Sequence, residues 1–308
     1  MLSASLSDMI KKNVAVKYPL LGSQKLDGIR ALVHDGILVS RKFKNIPNHY
    51  LRNKFSSLPE GIDGELLWHD LGAEYVLPED EGRNIFQKTS SRVMSEDGEP
   101  KDIFYEIFDY VKDDIAKPYQ DRMKDLEEIA KTLDMERIHL VLPRTISNKE
   151  EMDIFEAEAI ADGFEGIMLR TPTGPYKCGR ATPKEQYLFK VKQFVDAEAK
   201  ITGFEEGDKN LNEKVKDALG HSKRSSAKDG KIPSGSLGKI IAEDLKTGQQ
   251  IVVGSGTGLT LALRQEIWNN QDKYLGKIIV YKYQPYGTDE SPRFPGFKGF
   301  RHEDDLSE

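Results

Sequence analysis

The chain has 308 residues, a formal net charge of −6, 31% charged residues and one cysteine, which gives length for about two domains and excludes a disulfide framework or a thiolate metal cage. No apolar run approaches the roughly 18 residues of a membrane span, and the first residues lack the apolar region of a signal peptide, so an intracellular, cytoplasmic protein is expected. The negative total argues mildly against nucleic-acid binding, although local patches decide whether a protein binds a polyanion.

The first predicted element is a β-hairpin that carries cations. Residues 22–45, GSQKLDGIRALVHDGILVSRKFKN, place apolar runs on both sides of Asp35-Gly36, a two-residue signal for a type I′ turn. That turn would place Arg30 directly opposite Arg41, where like charges repel. The hairpin therefore predicts that a bound polyanion neutralises the two arginines, and a solvated basic edge is the alternative.

Two helices and further strands are predicted in the first two thirds of the chain. Residues 119–134 have apolar side chains at helical spacing. Their apolar face consists of Met123, Leu126, Ile129 and Leu133. Residues 149–162 predict a second helix, with Gly163 as its C-cap. EGIMLR at 165–170 and QYLFKVKQF at 186–194 predict strands.

The composition changes after Phe194. A polar stretch rich in Gly, Ser and Lys runs from about 205 to 236 and has too few apolar residues to fold alone, so a mobile basic arm or a disordered loop is expected. The later strands are predicted at SLGKIIAEDL (236–245), QQIVVGSG (249–256) and KIIVYKYQPY (277–286), with one helix from about 260 to 270. Short strands with one helix indicate a small β-barrel of the OB kind that begins near Val195.

Two further segments offer weak signals for a site. The glycine-rich turn within residues 251–268 matches neither G-x-G-x-x-G nor the P-loop pattern, so a turn into a barrel helix is favoured over a phosphate cradle. Acidic residues concentrate at 78–83 and in the tail 302–308. The tail predicts a disordered, solvated terminus rather than a metal site.

Charge embedded in strand-like sequence recurs throughout the first domain. The stretches are KLDGIR (25–30), SRKF (40–43), IDGELL (62–67), YEIFDYV (105–111), EGIMLR (165–170) and FKVK (189–192). A single lysine in a strand is usually an edge gatekeeper. In FKVK, however, Lys190 and Lys192 lie two apart and share one sheet face. Six such stretches in one domain indicate a functional site.

In this order the stretches resemble the nucleotidyltransferase motifs of the ATP-dependent DNA ligase family, which shares its core with mRNA capping enzymes and RNA ligases. KLDGIR resembles the nucleophile motif K-x-D-G-x-R, and RFPGFKGFR (293–301) and VGSGTGLT (253–260) resemble segments of the ligase OB domain. The resemblance implies an α+β chain. A nucleotidyltransferase (ATP-grasp-like) domain of antiparallel sheets and helices would span 1–194, and an OB-fold β-barrel with the basic insert would span 195–308.

The resemblance also implies roles at the nucleotide. Lys25 would attack the α-phosphate of ATP and form lysine–AMP. The residues implied to bind ATP are Ser23, Lys25, Arg30, Glu65, Phe108, Lys190 and Lys192. Among them Phe108 would stack on adenine and Glu65 would contact the ribose. Glu165, with Glu65, would bind Mg²⁺, with Mn²⁺ as an alternative. From the residues alone, a core position is favoured for Phe108, and Asp63-Gly64-Glu65 could form a turn.

A second set of residues is implied to hold DNA. Arg30 would face the ribose and 3′-OH side of a nick, and Arg41 its 5′-phosphate, since the guanidinium fork suits phosphate. Asp27 and Asp63 match motif carboxylates, and Arg170 stands where the family often has lysine. The remaining DNA-contacting candidates are Lys223, Arg224, Lys228 and Lys231 in the basic stretch and Arg293, Lys298 and Arg301 in the C-terminal motif.

The resemblance therefore implies a compact, monomeric, ATP- and Mg²⁺-dependent DNA ligase that seals nicked double-stranded DNA. Because Lys25 lies near the start, no extra N-terminal DNA-binding domain is expected, as in ligases of phages, viruses and some bacteria, and a phage protein would act in the host cytoplasm. The alternatives are a capping guanylyltransferase, an RNA ligase and a catalytically inactive nucleic-acid-binding module. The retained Lys25, Glu165, Lys190 and Lys192 argue against the inactive module.

Overall fold

The computed structural model describes residues 1–72, 80–81, 83–216, 220, 222–284 and 292–301. The acidic tail 302–308 lies outside the described residues, as do positions 78, 79 and 82 of the upstream acidic segment. The chain forms two compact units, Met1–Lys192 and Gln193–Glu308. No helix in the described part of the chain is long and apolar enough to cross a membrane.

The first unit consists of two five-stranded sheets with helices packed on them. Its strands are β1 (Ala4–Ser5), β2 (Leu20–Gln24), β3 (Ile29–His34), β4 (Ile37–Ser40), β5 (Ile62–Trp68), β6 (Ile103–Tyr110), β7 (Ile138–Leu140), β8 (Arg144–Ile146), β9 (Ile167–Arg170) and β10 (Leu188–Val191). Its helices are α1 (Leu6–Lys11), α2 (His49–Ser56), α3 (Ile85–Met94), α4 (Tyr119–Ala130) and α5 (Lys149–Ala161). One sheet has the order β4-β3-β5-β6-β7 and the other β1-β10-β9-β2-β8.

Each sheet of the first unit has its own apolar core. The β3-containing sheet buries Phe55 of α2, Tyr105 of β6 and Leu126 of α4 in one cluster. The β9-containing sheet buries Met9 of α1 and Phe189 of β10 in another. Burying such large side chains stabilises each layer, because the free energy gained scales with the apolar area removed from water.

The two predicted helices of the first unit form. Helix α4 ends at Ala130, four residues before the predicted end, and the chain continues in turns in which the amide of Thr132 bonds to the carbonyl of Ile129 at 2.9 Å. Helix α5 begins after Asn148, whose side chain caps it by accepting from the amide of Glu151. It ends at Ala161, one residue before the predicted end, and Gly163 beyond it has a φ of +86° that suits glycine.

The cation-bearing hairpin forms with the predicted turn but not with the predicted arginine pair. Asp35 and Gly36 have φ values of +53° and +68°, as a type I′ turn requires. The β3–β4 ladder ends at the pair Ala31–Ser40. The amide of Ser40 then bonds to the carbonyl of Lys44 at 2.7 Å and the chain turns back. The predicted direct opposition of Arg30 and Arg41 is therefore wrong.

The second unit is built on a five-stranded antiparallel sheet with the order β15-β14-β11-β16-β17. Its elements are β11 (Val195–Asn210), β12 (Lys214–Lys216), β13 (Ser222–Arg224), β14 (Lys231–Asp244), β15 (Gln250–Val253), α6 (Leu261–Asn269), α7 (Gln271–Tyr274), β16 (Ile278–Gln284) and β17 (Arg293–Phe300). A bridge between Ser255 and Gly296 links the chain after β15 to β17 at the other edge. That contact between opposite sheet edges is what an OB-like barrel requires.

The polar stretch 205–236 has more structure than its composition predicted. Strands β11 and β14 pair as far as Asn210–Lys231, and β12 and β13 form a two-stranded sheet beyond them. The side-chain amide of Asn212 donates to the carbonyls of Ser225 and Ala227 at 3.0 and 2.9 Å. The expected structureless loop is therefore wrong for the described residues, because backbone ladders and amide hydrogen bonds replace an apolar core. We call residues 205–236 the hairpin extension.

Candidate active site

Lys25 lies in the tight connection between β2 and β3. Its amide donates to the carbonyl of Gly166 at 2.8 Å, and the amide of Gly28 donates to Glu65 Oε1 at 2.9 Å. A Cβ atom at position 28 would collide with the carbonyl oxygen of Leu66. Glycine at this point of KLDGIR therefore allows the loop to lie against β5, which fixes where Lys25 projects.

The Lys25 amine belongs to a charge triad. Lys25 Nζ forms an ion pair with Glu165 Oε2, and Lys192 Nζ donates to Glu165 Oε1 at 2.8 Å. Burial would raise the pKa of Glu165, but the two ammonium groups outweigh it, so its pKa is lowered and the carboxylate stays charged. The triad brings together three residues that the sequence places in three separate motifs.

The lysines of FKVK share one face, as predicted. Phe189 and Val191 are buried in the core behind β10, while Lys190 and Lys192 line the cleft in front of it. Burial, followed by repulsion from Lys25, lowers the pKa of both Lys190 and Lys192. A bound polyanion would relieve the repulsion between these ammonium groups.

The triad lies at a cleft of about 640 Å³ within the first unit. The predicted residues that line it are Ser23, Lys25, Arg30, Arg41, Glu65, Phe108, Lys190 and Lys192. Sequence reasoning missed Met168, Lys42 and Lys44, which also line it. The two lysines are adjacent to Arg41 in a basic run, so their charge was the available signal. Met168 of β9 gave none, because an apolar residue in a strand predicts only a core position.

Phe108 faces this cleft because side chains alternate along β6, where Tyr105 and Ile107 lie in the core and Phe108 lies on the other face. Asp63 pairs with Asp109 and Gly64 with Ile107, which leaves Phe108 as the extra residue of a β-bulge. Such bulges are common beside active sites. The guanidinium groups of Arg30 and Arg170 lie 5.4 and 5.5 Å from the ring centre, so cation–π contacts hold the ring in place.

Arg30 is neutralised within the protein. Its Nε donates to Asp63 Oδ1 at 2.9 Å and a second nitrogen pairs with Asp63 Oδ2, which also accepts from the Tyr176 hydroxyl at 2.8 Å. Burial would lower the pKa of Arg30, but Asp63 outweighs it and the pKa is raised. The prediction that a bound polyanion neutralises the arginines therefore does not apply to Arg30. It still applies to Arg41, which is exposed directly after β4.

Arg170 packs beside the Phe108 ring. It is buried and pairs with Asp109, which also accepts from Arg122 Nε at 2.7 Å. The Arg170 guanidinium lies 4.4 Å from the ring centre of Tyr119. Burial would raise the pKa of Asp109, but the two arginines outweigh it and the pKa is lowered. Arginine at this position, where the resemblance implied lysine, thus fits an ion-pair network behind Phe108.

Two carboxyl groups near Lys25 could bind a divalent cation if Mg²⁺ displaced a lysine from Glu165, whose two oxygens pair with Lys25 and Lys192. Burial raises the pKa of Glu65 to about 7, although Lys25 and the Gly28 amide oppose the rise. Glu165 stays ionised and holds two lysines. Mg²⁺ is usually bound by one or two carboxylates together with substrate phosphates rather than by a complete protein cage. The pair Glu65 and Glu165 therefore fits Mg²⁺ in the way the cation is normally held.

The remaining predicted residues lie outside the lining of the cleft. Asp27 is in the Lys25 loop. Those in the second unit are Lys223 and Arg224 on β13, Lys228 in a short 3₁₀ helix, Lys231 at the start of β14, and Arg293, Lys298 and Arg301 in or directly after β17. Lys298 forms an ion pair with Asp196, and Arg301 lies 3.1 Å from Glu198. The C-terminal motif thus forms ion pairs with β11 of its own unit.

The chain is similar in sequence to DNA ligases. Residues 1–192 match the family described as ATP dependent DNA ligase domain, and residues 230–301 match the one described as DNA ligase OB-like domain. The DNA ligase of enterobacteria phage T4 is 23% identical over 317 residues, covering 88% of this chain and 60% of the relative. The DNA ligase of an African swine fever virus isolate is 27% identical over 150 residues, so 48% of this chain matches only 32% of that relative.

Solved structures show the same architecture. A Chlorella virus DNA ligase-adenylate is 32% identical, with 98% of this chain and 97% of that chain covered and a TM-score of 0.53. A Lig E DNA ligase, described as binding DNA with a minimal scaffold, is 22% identical, covers 98% of both chains and has a TM-score of 0.69. The second likeness concerns the fold alone.

Proposed function

Since the chain belongs to the ATP-dependent DNA ligase family, we propose that it seals nicks in duplex DNA through a lysine–AMP intermediate. The observation that carries the proposal is the Lys25–Glu165–Lys192 triad at a cleft that Phe108 and Lys190 also line. An amine nucleophile, cations for a polyphosphate and an aromatic ring for a base lie within one cavity. The protein would act as a monomer in the cytoplasm, and sedimentation of the free and DNA-bound chain tests its state.

The first step would transfer AMP to the protein. Lys25 Nζ, as the neutral amine, attacks the α-phosphorus of ATP, so an N–P bond forms, the bond to pyrophosphate breaks and the proton of the amine passes to solvent. Glu165 holds Lys25 Nζ in the cleft and thereby orients it. Lys190 and Lys192 would neutralise the phosphates as negative charge shifts to the leaving pyrophosphate. Mg²⁺, held by Glu165 and Glu65 with the phosphates, would add charge neutralisation, and Mn²⁺ could serve equally.

The nucleoside of ATP would lie against the ring of Phe108. Phe108 offers a ring face for adenine, and Met168 lines the same cleft. The Glu65 carboxyl, with a pKa of about 7, can accept or donate a hydrogen bond to a ribose hydroxyl near neutral pH. Ser23 lines the cleft beside Lys25 and is within reach of the same nucleotide.

The next two steps would act on DNA. A 5′-phosphate oxygen attacks the lysine–AMP phosphorus and the N–P bond breaks, and the 3′-OH then attacks the 5′-phosphate and releases AMP. Arg41 is exposed at the cleft, so its charge is available for the 5′-phosphate. Arg30 is positioned by Asp63, with Asp27 in the preceding loop, on the side proposed for the ribose and 3′-OH.

Sealing of a singly nicked duplex supplied with ATP, GTP or NAD tests the proposed function. ATP alone should support sealing. Activity with GTP on a 5′-diphosphate RNA end would instead indicate a capping enzyme, and exclusive sealing of RNA strands would indicate an RNA ligase. Nick binding without any covalent nucleotide would indicate the inactive binding module.

Arg41→Ala should form lysine–AMP normally and seal nicks poorly. Loss of a charged hydrogen bond costs about 1.5–3 kcal/mol, so sealing should fall roughly ten- to hundredfold. Single-turnover assays that follow lysine–AMP formation and sealing separately check this. Lys54→Ala, which removes a cation on α2 paired with Glu136, is the matched control. Equal losses in both steps would refute the assignment of Arg41 to the DNA.

The hairpin extension would hold the duplex through phosphates. In its two-stranded sheet, Lys214 lies directly opposite Arg224, and Lys216 is on the same face. All three are exposed, and Lys223 extends the charge to the other face. Like charges directly opposite on a sheet destabilise it, so phosphates bound between them would stabilise both the sheet and the complex.

Replacing residues 211–230 with a short Gly/Ser turn should weaken nick binding and spare lysine–AMP formation. Asn210 and Lys231 are direct partners in the ladder, so a turn can join them without disturbing β11 or β14. Removing each cation that neutralises a DNA phosphate should reduce the salt slope of binding by about 0.9. The double variant Lys223→Gln/Arg224→Gln keeps the backbone and should show part of the same change. Unaltered affinity at every salt concentration would contradict the role.

A further inference from the structure

Two histidines and a glutamate form a second polar cluster in the first unit. His69 Nε2 lies 2.8 Å from Glu106 Oε1, and His139 Nδ1 lies 2.9 Å from the same oxygen. The three ligand-type atoms lie within 4.8 Å of one another. None of the three residues lines the cleft, and none belongs to the ligase-like motif residues given roles above.

The sheet itself brings the three residues together. Glu106 is in β6, directly beside His139 of β7, and His69 follows the end of β5. Phe104 lies two residues before Glu106 and so shares its face. Its ring centre is 4.5 Å from that of His69 and 5.0 Å from that of His139. Packing against one ring on regular strands holds both imidazoles towards the carboxylate, the preorganisation that a ligand site needs.

The buried charge of Glu106 favours a cation as the ligand of this cluster. Its side chain is only 9% exposed, and among the described residues its ion-pair partners are the two imidazoles, which carry charge only when protonated. A buried carboxylate is costly unless it is paired or coordinates a metal. A cation bound between the carboxylate and two neutral imidazoles would satisfy all three groups.

We propose that His69, Glu106 and His139 bind a divalent transition-metal ion of the Zn²⁺ type. Imidazole nitrogens favour this class over Mg²⁺ and Ca²⁺, which prefer all-oxygen sites. Zinc bonds of about 2.0–2.2 Å at tetrahedral angles separate neighbouring ligand atoms by about 3.4 Å, so the two nitrogen–oxygen distances, now 2.8 and 2.9 Å, would need to lengthen by roughly half an ångström. His139 is 50% exposed, which leaves an entry path and a fourth position for solvent.

A second acidic and histidine-containing group shows why this cluster is preferred. His34, Asp35 and Glu60 also lie close together, but all three are exposed and only one is an imidazole. This group has only one imidazole, and neither of its carboxylates is buried. His34 therefore provides the matched control for metal binding.

A metal at the His69–Glu106–His139 cluster would link β6, β7 and the end of β5. Strand β7 has three residues and, among the described strands, pairs with β6 alone. Val141, directly after β7, lines the cleft. An ion that binds the folded chain and not the unfolded one stabilises the fold by an amount that grows with the logarithm of its concentration above the Kd. The metal would thus fix β7 and one wall of the cleft, whether or not the protein seals DNA.

Zinc titration of the chelator-stripped, full-length chain tests the site. The wild type should bind one Zn²⁺ at this cluster, unfold at a higher temperature with Zn²⁺, and give with Co²⁺ the visible spectrum of a low-coordinate nitrogen and oxygen site. His139→Ala should weaken Zn²⁺ binding by more than roughly tenfold and remove both effects. This variant changes a half-exposed side chain, so it should fold. His34→Ala should bind Zn²⁺ as the wild type does.

Two results would overturn the proposal. One is a wild-type chain that does not bind Zn²⁺ or Co²⁺. The other is binding that His139→Ala and Glu106→Gln leave unchanged, which would assign the ion to another site such as Glu165. Neither result depends on ligase activity, so the metal site and the proposed function fail separately.

Discussion

Lys25→Ala should abolish both lysine–AMP formation and nick sealing, with rates lowered by at least roughly 10⁴-fold, as expected when a nucleophile is removed. Lys190 and Lys192 line the same cleft, but Lys25 is in the loop that the Gly28 contact fixes against β5. Electrophoresis with labelled ATP measures the covalent adduct, and a nicked duplex measures sealing.

Two controls separate lost chemistry from lost folding. Lys25→Arg keeps a cation beside Glu165 but supplies no free amine, because arginine stays protonated, so it should also be inactive. A nick that already carries AMP on its 5′-phosphate needs no lysine, and Lys25→Ala should still seal it. An ATP-derived adduct that persists in Lys25→Ala would contradict the assignment.

Glu165→Gln should slow lysine–AMP formation roughly ten- to hundredfold, since each charged hydrogen bond contributes about 1.5–3 kcal/mol. The amide keeps the shape of the side chain but removes the charge that holds Lys25 and Lys192. It also removes a hard oxygen ligand for Mg²⁺. The remaining activity should therefore require more Mg²⁺. A Mg²⁺ titration of self-adenylylation measures both changes.

Glu158→Gln is the matched control for Glu165→Gln. It also removes a glutamate charge from the first unit, but Glu158 is exposed and pairs with Arg144. Exposed pairs contribute little, so this variant should match the wild type. A Glu165→Gln enzyme with unchanged rate and unchanged Mg²⁺ dependence would exclude both roles of Glu165.

The sequence predicted the residues of the cleft better than their interactions. Alternation in FKVK was enough to place Lys190 and Lys192 on one face, because strand periodicity is local. The Arg30–Asp63 pair depends on β3 pairing with β5, which no local pattern specifies. Without that pairing, repulsion between Arg30 and Arg41 was expected. The predicted register is correct as far as Ala31–Ser40, but the ladder ends there because the chain turns at Ser40.

Long-range pairing explains the other differences. The hairpin extension has few apolar residues, yet Asn210 pairs with Lys231 at the end of a long ladder, and composition carries no information about such a ladder. Phe108 suited a core position because no local pattern shows which face of β6 packs on the core. His69 and His139 are separated from Glu106 by 37 and 33 positions, so no metal-ligand spacing was visible in the sequence.

The most direct measurement locates the nucleotide on the protein. Wild-type chain incubated with ATP and Mg²⁺ is digested and mapped by mass spectrometry, and the same sample is then given a singly nicked duplex. The account predicts one AMP, attached to Lys25, that disappears as the nick is sealed. AMP attached to Lys190 or Lys192, or an AMP on Lys25 that nicked DNA does not consume, would contradict it.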